Sequence, residues 1–178
     1  MSDLQCPARV FLARHGEADP ETYLTPDAGG GLSAAGREQA LTLARSLHSE
    51  RVARVWCSPM HSAVQTAEIV AGILGLEVLV REGLRECGVG GLPGSPGDEA
   101  AIDGGERIGD VILRMGTILM EVADQHRGEA ALVVSHGRAI LATVPHLVGL
   151  PPAPARSKVL PCGGRVGLEY DSDGWRLA

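Results

Sequence analysis

Aromatic side chains are nearly absent from this chain: Phe11, Tyr23, Trp56, Tyr170 and Trp175 are the whole set in 178 residues. A platform that stacks successive bases needs more of them. The formal net charge of −6 also removes the electrostatic pull on a phosphate backbone, so a nucleic-acid partner is not expected. Lysine is scarcer still. Of sixteen basic residues fifteen are arginine and Lys158 stands alone, which reads as coding bias and gives any single arginine little functional weight by itself. The four cysteines, Cys6, Cys57, Cys87 and Cys162, form no C-x-x-C pair. Neither a zinc knuckle nor a thioredoxin-type motif is present, and free thiols in a reducing compartment are expected. No apolar run approaches the roughly 18 residues of a membrane span, and the start, MSDLQCPARV, lacks the basic and apolar regions of a secretory signal. A cytoplasmic protein without membrane contact is the expectation; nothing in the sequence speaks to oligomeric state.

What is present is ordinary for a globular chain, with 44% hydrophobic and 21% charged residues. The length suits one domain, 1–178, able to bury roughly 70% of its unfolded surface. Apolar runs at Ala8 to Ala13, Ala53 to Cys57, Glu77 to Val80 and Ala130 to Ser135 read as strands. Val159 to Cys162, Arg165 to Tyr170 and Trp175 to Leu177 complete the set, with DSD (Asp171 to Asp173) as a hairpin turn. Helical spacing follows Ser33, a candidate N-cap, and resumes after Pro59, a candidate first helical residue that leads to a stop near Gly72 to Gly75. Two more helices are expected, from Arg107 to about Gln125 and from about Arg138 to a point before GLPPAP. Strands alternating with helices predict an α/β fold, a three-layer α/β/α sandwich around a mostly parallel sheet. The Gly/Pro-rich segment 88–105 is long for a plain connection, which marks it as functional.

Two strands end alike. VFLARHG stops at Arg14, His15 and Gly16, and LVVSHG stops at His136 and Gly137. Ligands of parallel sheets bind beyond the carboxyl ends of the strands, where both histidines fall. A lone histidine is more often packed or solvated, which is the reading for His48, His126 and His146. The paired endings set His15 and His136 apart. No metal site is implied, since no carboxylate cluster has ligand spacing, and GGGL lacks the Lys-Ser/Thr of a nucleotide-binding P-loop.

With RHGEA (Arg14 to Ala18) as signature, the chain resembles the histidine phosphatase superfamily. LSAAGREQA (Leu32 to Ala40), CSPMHSAVQTA (Cys57 to Ala67), LRE ending at Glu86, GGERIGDV (Gly104 to Val111) and VVSHG (Val133 to Gly137) follow in the family's order. The resemblance implies that His15 is the nucleophile, that Arg14 and His136 hold the phosphate, and that Glu86 is the proton donor. It implies neither cofactor nor metal. The chemistry asks for such groups: a phosphate monoester needs cations around its oxygens, a neutral imidazole to attack phosphorus, and an acid for the leaving oxygen.

One position departs from the family. Ser62 stands where an arginine usually grips the phosphate, which replaces a charge-assisted contact by a hydroxyl. Losing a comparable donor costs about 2.7–4 kcal/mol in the transition state, or about 10²–10³ in rate. Arg138, after SHG, and His61 are candidate substitutes; the first is also readable as a solvated helix residue, and the second points about 100° away from Ser62 on a helix. Arg107 stands where the family's GGES block usually has serine. The expected activity is a metal-independent phosphatase for a phosphorylated small molecule or a phosphoprotein, weak or specialised because of Ser62. The competing reading is a phosphate-binding or interaction protein that has lost turnover. A mutase is disfavoured by the shortness of the segment from Glu86 to Gly104, and a phosphohistidine phosphatase by the presence of Glu86.

Overall fold

β1 (Ala8–Arg14) alternates its buried side chains between two cores, Val10 and Leu12 to one side and Phe11 and Ala13 to the other. A strand apolar on both faces belongs in the middle of a covered sheet, and that is where it lies. The structure, a computed structural model, describes residues 6–22, 28–88, 106–153 and 157–178. Its sheet also contains β2 (Val52–Cys57), β3 (Val78–Val80), β4 (Ala130–Ser135), β5 (Arg165–Asp171) and β6 (Gly174–Leu177), in the order β3-β2-β4-β1-β5-β6. β1 to β4 are parallel; β5 runs antiparallel beside β1, and β6 antiparallel beside β5.

Helices α1 (Ala34–Leu47) and α2 (His61–Leu74) pack on the Phe11 face, and α3 (Ile108–Gln125) and α4 (Gly137–Leu147) on the Leu12 face. The three-layer α/β arrangement expected from the alternation is therefore present. Ser33 caps α1 by accepting from the amide of Gly36, and Gly75 closes α2 with a positive φ of 70°. Asp173 donates its amide to Asp171 Oδ1 in the turn between β5 and β6.

Two local expectations are corrected. Val159 to Cys162 is not a strand: Leu160 O accepts from Arg14 Nη1 at 2.8 Å, and Pro161 O accepts from the Gly164 amide in a turn. Pro59 is not the first helical residue either. α2 begins at His61 with Met60 as its cap, because Ser58 and Pro59 are spent turning the chain off β2. Apart from Gly88, the segment 88–105 lies outside the described residues.

β4 sits between β1 and β2, so the chain leaves β1 for the α1 face and leaves β4 for the α4 face. Adjacent parallel strands whose connections diverge to opposite faces open a crevice at their carboxyl ends. The register pairs Arg14 with Ser135, which sets His15 beside His136 in that crevice.

The loop after β1 is held by backbone contact too close for a side chain. A Cβ on Gly16 would stand 2.4 Å from Gly36 O, and one on Gly36 would stand 2.1 Å from Glu17 O. The amide of Gly16 donates to Thr66 Oγ1, whose hydroxyl donates to Ser62 O, so α1 and α2 both brace the turn that carries His15. Gly36→Ala is expected to destabilise the fold by about 1–3 kcal/mol through forced backbone displacement. Gly72→Ala, at an exposed helical site with nothing within 4 Å of the new methyl, is expected to stabilise it by up to about 1 kcal/mol. Urea midpoints of the two variants check the contrast.

Candidate active site

His15 follows the last residue of β1, with its amide tied to Ser135 O at 3.0 Å. Its Nδ1 lies 2.6 Å from Gly16 O. A carbonyl can only accept, so Nδ1 is the donor and the neutral ring keeps its lone pair on Nε2. Burial pushes the His15 pKa below its ordinary value, with Arg14 adding to the effect and the Gly16 bond and the Glu86 charge opposing it. The ring is thereby kept available as a base or nucleophile near neutral pH.

His136 is almost wholly buried and shares a 2.8 Å hydrogen bond with Ser58 Oγ. Its ring centroid is 4.9 Å from that of His15, the planes tilted by 60°. Burial holds its pKa well below the usual histidine value, and the neighbouring His15, Arg114, Arg14 and Arg85 push the same way. The two rings form one unit at the ends of two adjacent strands.

Arg14 leaves the end of β1 beneath α4. Its Nη1 donates to Leu160 O at 2.8 Å, and its backbone is latched on both sides, Arg14 N to Gly164 O and Gly163 N to Arg14 O. A Cβ on Gly137 would stand 3.2 Å from Arg14 Nε, so a glycine at the start of α4 is what lets the guanidinium lie there. Arg14 Nε is buried and meets no acceptor among the described residues. Leaving a buried donor unpaired costs about 1–3 kcal/mol, a cost that an added acceptor at this N–H would relieve.

Glu86 reaches the same helix start. Its Oε1 accepts from the amides of Cys87 and Ala139, both at 2.9 Å, and its Oε2 from the amide of Arg138 at 3.3 Å. The carboxylate thus caps α4 from outside the helix, where the macrodipole favours negative charge. Three of its roughly four acceptor positions are used, leaving one for a proton or a water.

Ser62 is buried, 3% exposed, in the first turn of α2. It lies one turn before Thr66, the residue that braces Gly16, so it shares the α2 face that looks onto the His15 loop. Met60 offers no side-chain cap, which leaves the partial positive charge of the α2 start beside Ser58 and His136. His61 is exposed, its amide bonded to Ala28 O. The charge of Arg138 bears on the Cys87 thiol. The structure therefore brings Arg14, His15, Glu86, Ser62 and His136 to one end of the sheet, while Arg138 takes part through its backbone amide. The other three histidines do not join them: His48 and His146 are exposed, and His126 accepts from the Trp56 indole.

Sequence reasoning missed Ser58, Thr66, Arg114 and Glu106. Arg114 is one arginine among many in a helix, and only its partners distinguish it. All four cysteines are free thiols, and burial drives Cys57 and Cys87 up to about 12, which leaves them unreactive. Among the described residues no helix is long and apolar enough to cross a membrane.

Two imidazoles and an arginine meet at the divergent ends of parallel strands in an α/β fold. The chain belongs to the histidine phosphatase superfamily (branch 1), whose pattern matches residues 10–178. It is 30% identical over 193 aligned positions to phosphoglycerate mutase-like protein 4 of Arabidopsis thaliana, across 96% of this chain and 83% of that protein. Among solved structures it is similar to Bacillus stearothermophilus YhfR, with a TM-score of 0.81 and 24% identity over 96% of this chain and 95% of that one. It is also similar to a mycobacterial glucosyl-3-phosphoglycerate phosphatase in complex with VO3, with a TM-score of 0.78 and 25% identity over 95% of this chain and 96% of that one.

The buried rings make stability depend on pH. Above the ordinary histidine value of 6.5 they are neutral in the folded and unfolded chains alike. Below it the unfolded chain binds protons that the folded rings refuse, so stability falls as pH drops from there toward the folded values. The slope reaches at most about 1.4 kcal/mol per pH unit for each ring. Urea midpoints followed from about pH 7.5 to about pH 5 should show this decline, and His136→Gln should flatten it by up to one proton.

Proposed function

We propose that the chain is a phosphomonoester phosphatase, a single domain working through a phosphohistidine on His15. One observation carries the reading: His15 Nδ1 donates to Gly16 O, which aims an unprotonated Nε2 away from the backbone beside a second buried histidine. Similarity to the mycobacterial phosphatase supports hydrolysis of a small phosphorylated substrate.

The route follows from the groups in place. The Nε2 lone pair attacks phosphorus as the ester P–O bond breaks, and the leaving oxygen takes that electron pair together with a proton from Glu86. Arg14 Nε–H, His136 and the first-turn dipole of α2 hold the phosphoryl oxygens. Water then attacks the phosphohistidine, its proton passes to the Glu86 carboxylate, and the P–N electrons return to Nε2, releasing inorganic phosphate. No metal or cofactor enters this balance. Ser62 weakens the hold on the phosphoryl group, which makes a low or narrowly directed turnover the expectation. The competing reading, phosphate binding without turnover, rests on that same substitution.

Hydrolysis of an aryl phosphate in chelator is the test. Wild type is expected to turn over slowly, and His15→Ala to be inactive. Ser62→Arg should gain up to about 10²–10³ in rate. Wild type that binds phosphate but neither hydrolyses the ester nor labels His15 would establish the binding protein instead.

A further inference from the structure

The residues from Gly83 to Glu86 have no ladder or helix of their own beyond the short turn Glu82–Leu84, yet they carry the carboxylate that caps α4. Ser135 Oγ donates to Leu84 O at 2.8 Å, and one guanidinium holds the carbonyls on either side of it. From the middle of α3, Arg114 Nη1 donates to Gly83 O and to Arg85 O, both at 2.8 Å, and Nη2 donates to Glu86 O at 3.0 Å. Its Nε and Nη2 make a forked pair with Glu106 at 2.6 and 2.8 Å. All five N–H donors of the side chain are thereby used on five different oxygens. Such a guanidinium has nothing left for a phosphate, so it is not a binding cation despite its place beside the site. Glu106 also meets Gly88, which lies two residues past Glu86: the Gly88 amide donates to its carboxylate. The turn is therefore fixed before, at and after Glu86.

We propose that Arg114, oriented by Glu106, is the positioning residue for Glu86, holding the backbone so that the carboxylate meets the leaving oxygen. The proposal rests on the reading of Glu86 as proton donor. Lysine cannot replace Arg114, because three donors on a point charge do not span three carbonyls and a carboxylate. The role differs from general support of the fold in one measurable respect: it matters only for leaving groups that need a proton.

The experiment compares kcat/KM for ethyl phosphate, a poor leaving group, and dinitrophenyl phosphate, which departs without protonation. It uses wild type, Arg114→Lys, Glu106→Gln, Glu86→Gln and the Arg114→Lys/Glu86→Gln double variant. Glu86→Gln should lose about 10²–10⁴ on ethyl phosphate and little on the dinitrophenyl ester. Arg114→Lys should lose at least about tenfold on ethyl phosphate, under about twofold on the other, and nothing further when Glu86 is already Gln. Glu106→Gln keeps every carbonyl contact and so keeps the fold even if Arg114→Lys does not; it should show a selective loss of about two- to fivefold. Equal losses on both esters, or an undiminished loss from Arg114→Lys in the Glu86→Gln background, overturn the positioning role while leaving Glu86 as donor. A Glu86→Gln variant without leaving-group selectivity overturns the donor reading and this proposal with it.

Discussion

The parallel pairing of β1 with β4 is the contact on which everything functional depends. Its register sets Arg14 opposite Ser135, and the next residue on each strand is a histidine. A slip of one residue would turn each side chain to the opposite face of the sheet and part the two rings. Such a slip is blocked because both strands are buried on both sides, Val10 and Leu12 against α3 and α4, Phe11 and Val134 against α1 and α2. The apolar cores thus pin the register, and the register builds the site.

Around that pair the protein buries charge and polarity at a cost it only partly offsets. His136 gives up its proton more readily than a free imidazole, since burial and three nearby arginines all disfavour the cation. Arg14 is anchored by one carbonyl of the Leu160 to Gly164 strap while its Nε–H meets no acceptor among the described residues. Glu86 and Arg114 resolve the opposite problem. The carboxylate satisfies amides at the start of α4, and the guanidinium satisfies carbonyls of a turn with little regular structure. Two buried rings, a held arginine and a capped carboxylate thus gather at one end of the sheet, with Ser62 buried at the start of α2.

Most of this was legible where local signals agree with tertiary need. The strand-ending His-Gly pairs, Ser33 as a cap, a helix stop near Gly72 to Gly75 and the Ala130 to Ser135 strand were all readable, because side-chain periodicity and cap chemistry act over a few residues. The run Val159 to Cys162 misled for an identifiable reason. Its apolar side chains look like a strand, but one of its carbonyls is claimed by Arg14 across the crevice, a partner 146 positions away in the chain. Glu86 was recognisable through its motif, yet its capping of α4 was not, since nothing near Glu86 in sequence announces a helix that starts at Gly137.

By itself the sequence determined the alternation of strands and helices and the two histidines that terminate strands. Those are properties of short windows, where hydrophobic period and residue type are enough. Tertiary structure alone decided that β4 lies between β1 and β2, that Gly16 and Gly36 touch backbone to backbone, and that Arg114 differs from the other fourteen arginines. Strand order and close approach come from the packing of surfaces distant in the chain, and an arginine's role comes from which oxygens the folded chain carries to its five donors.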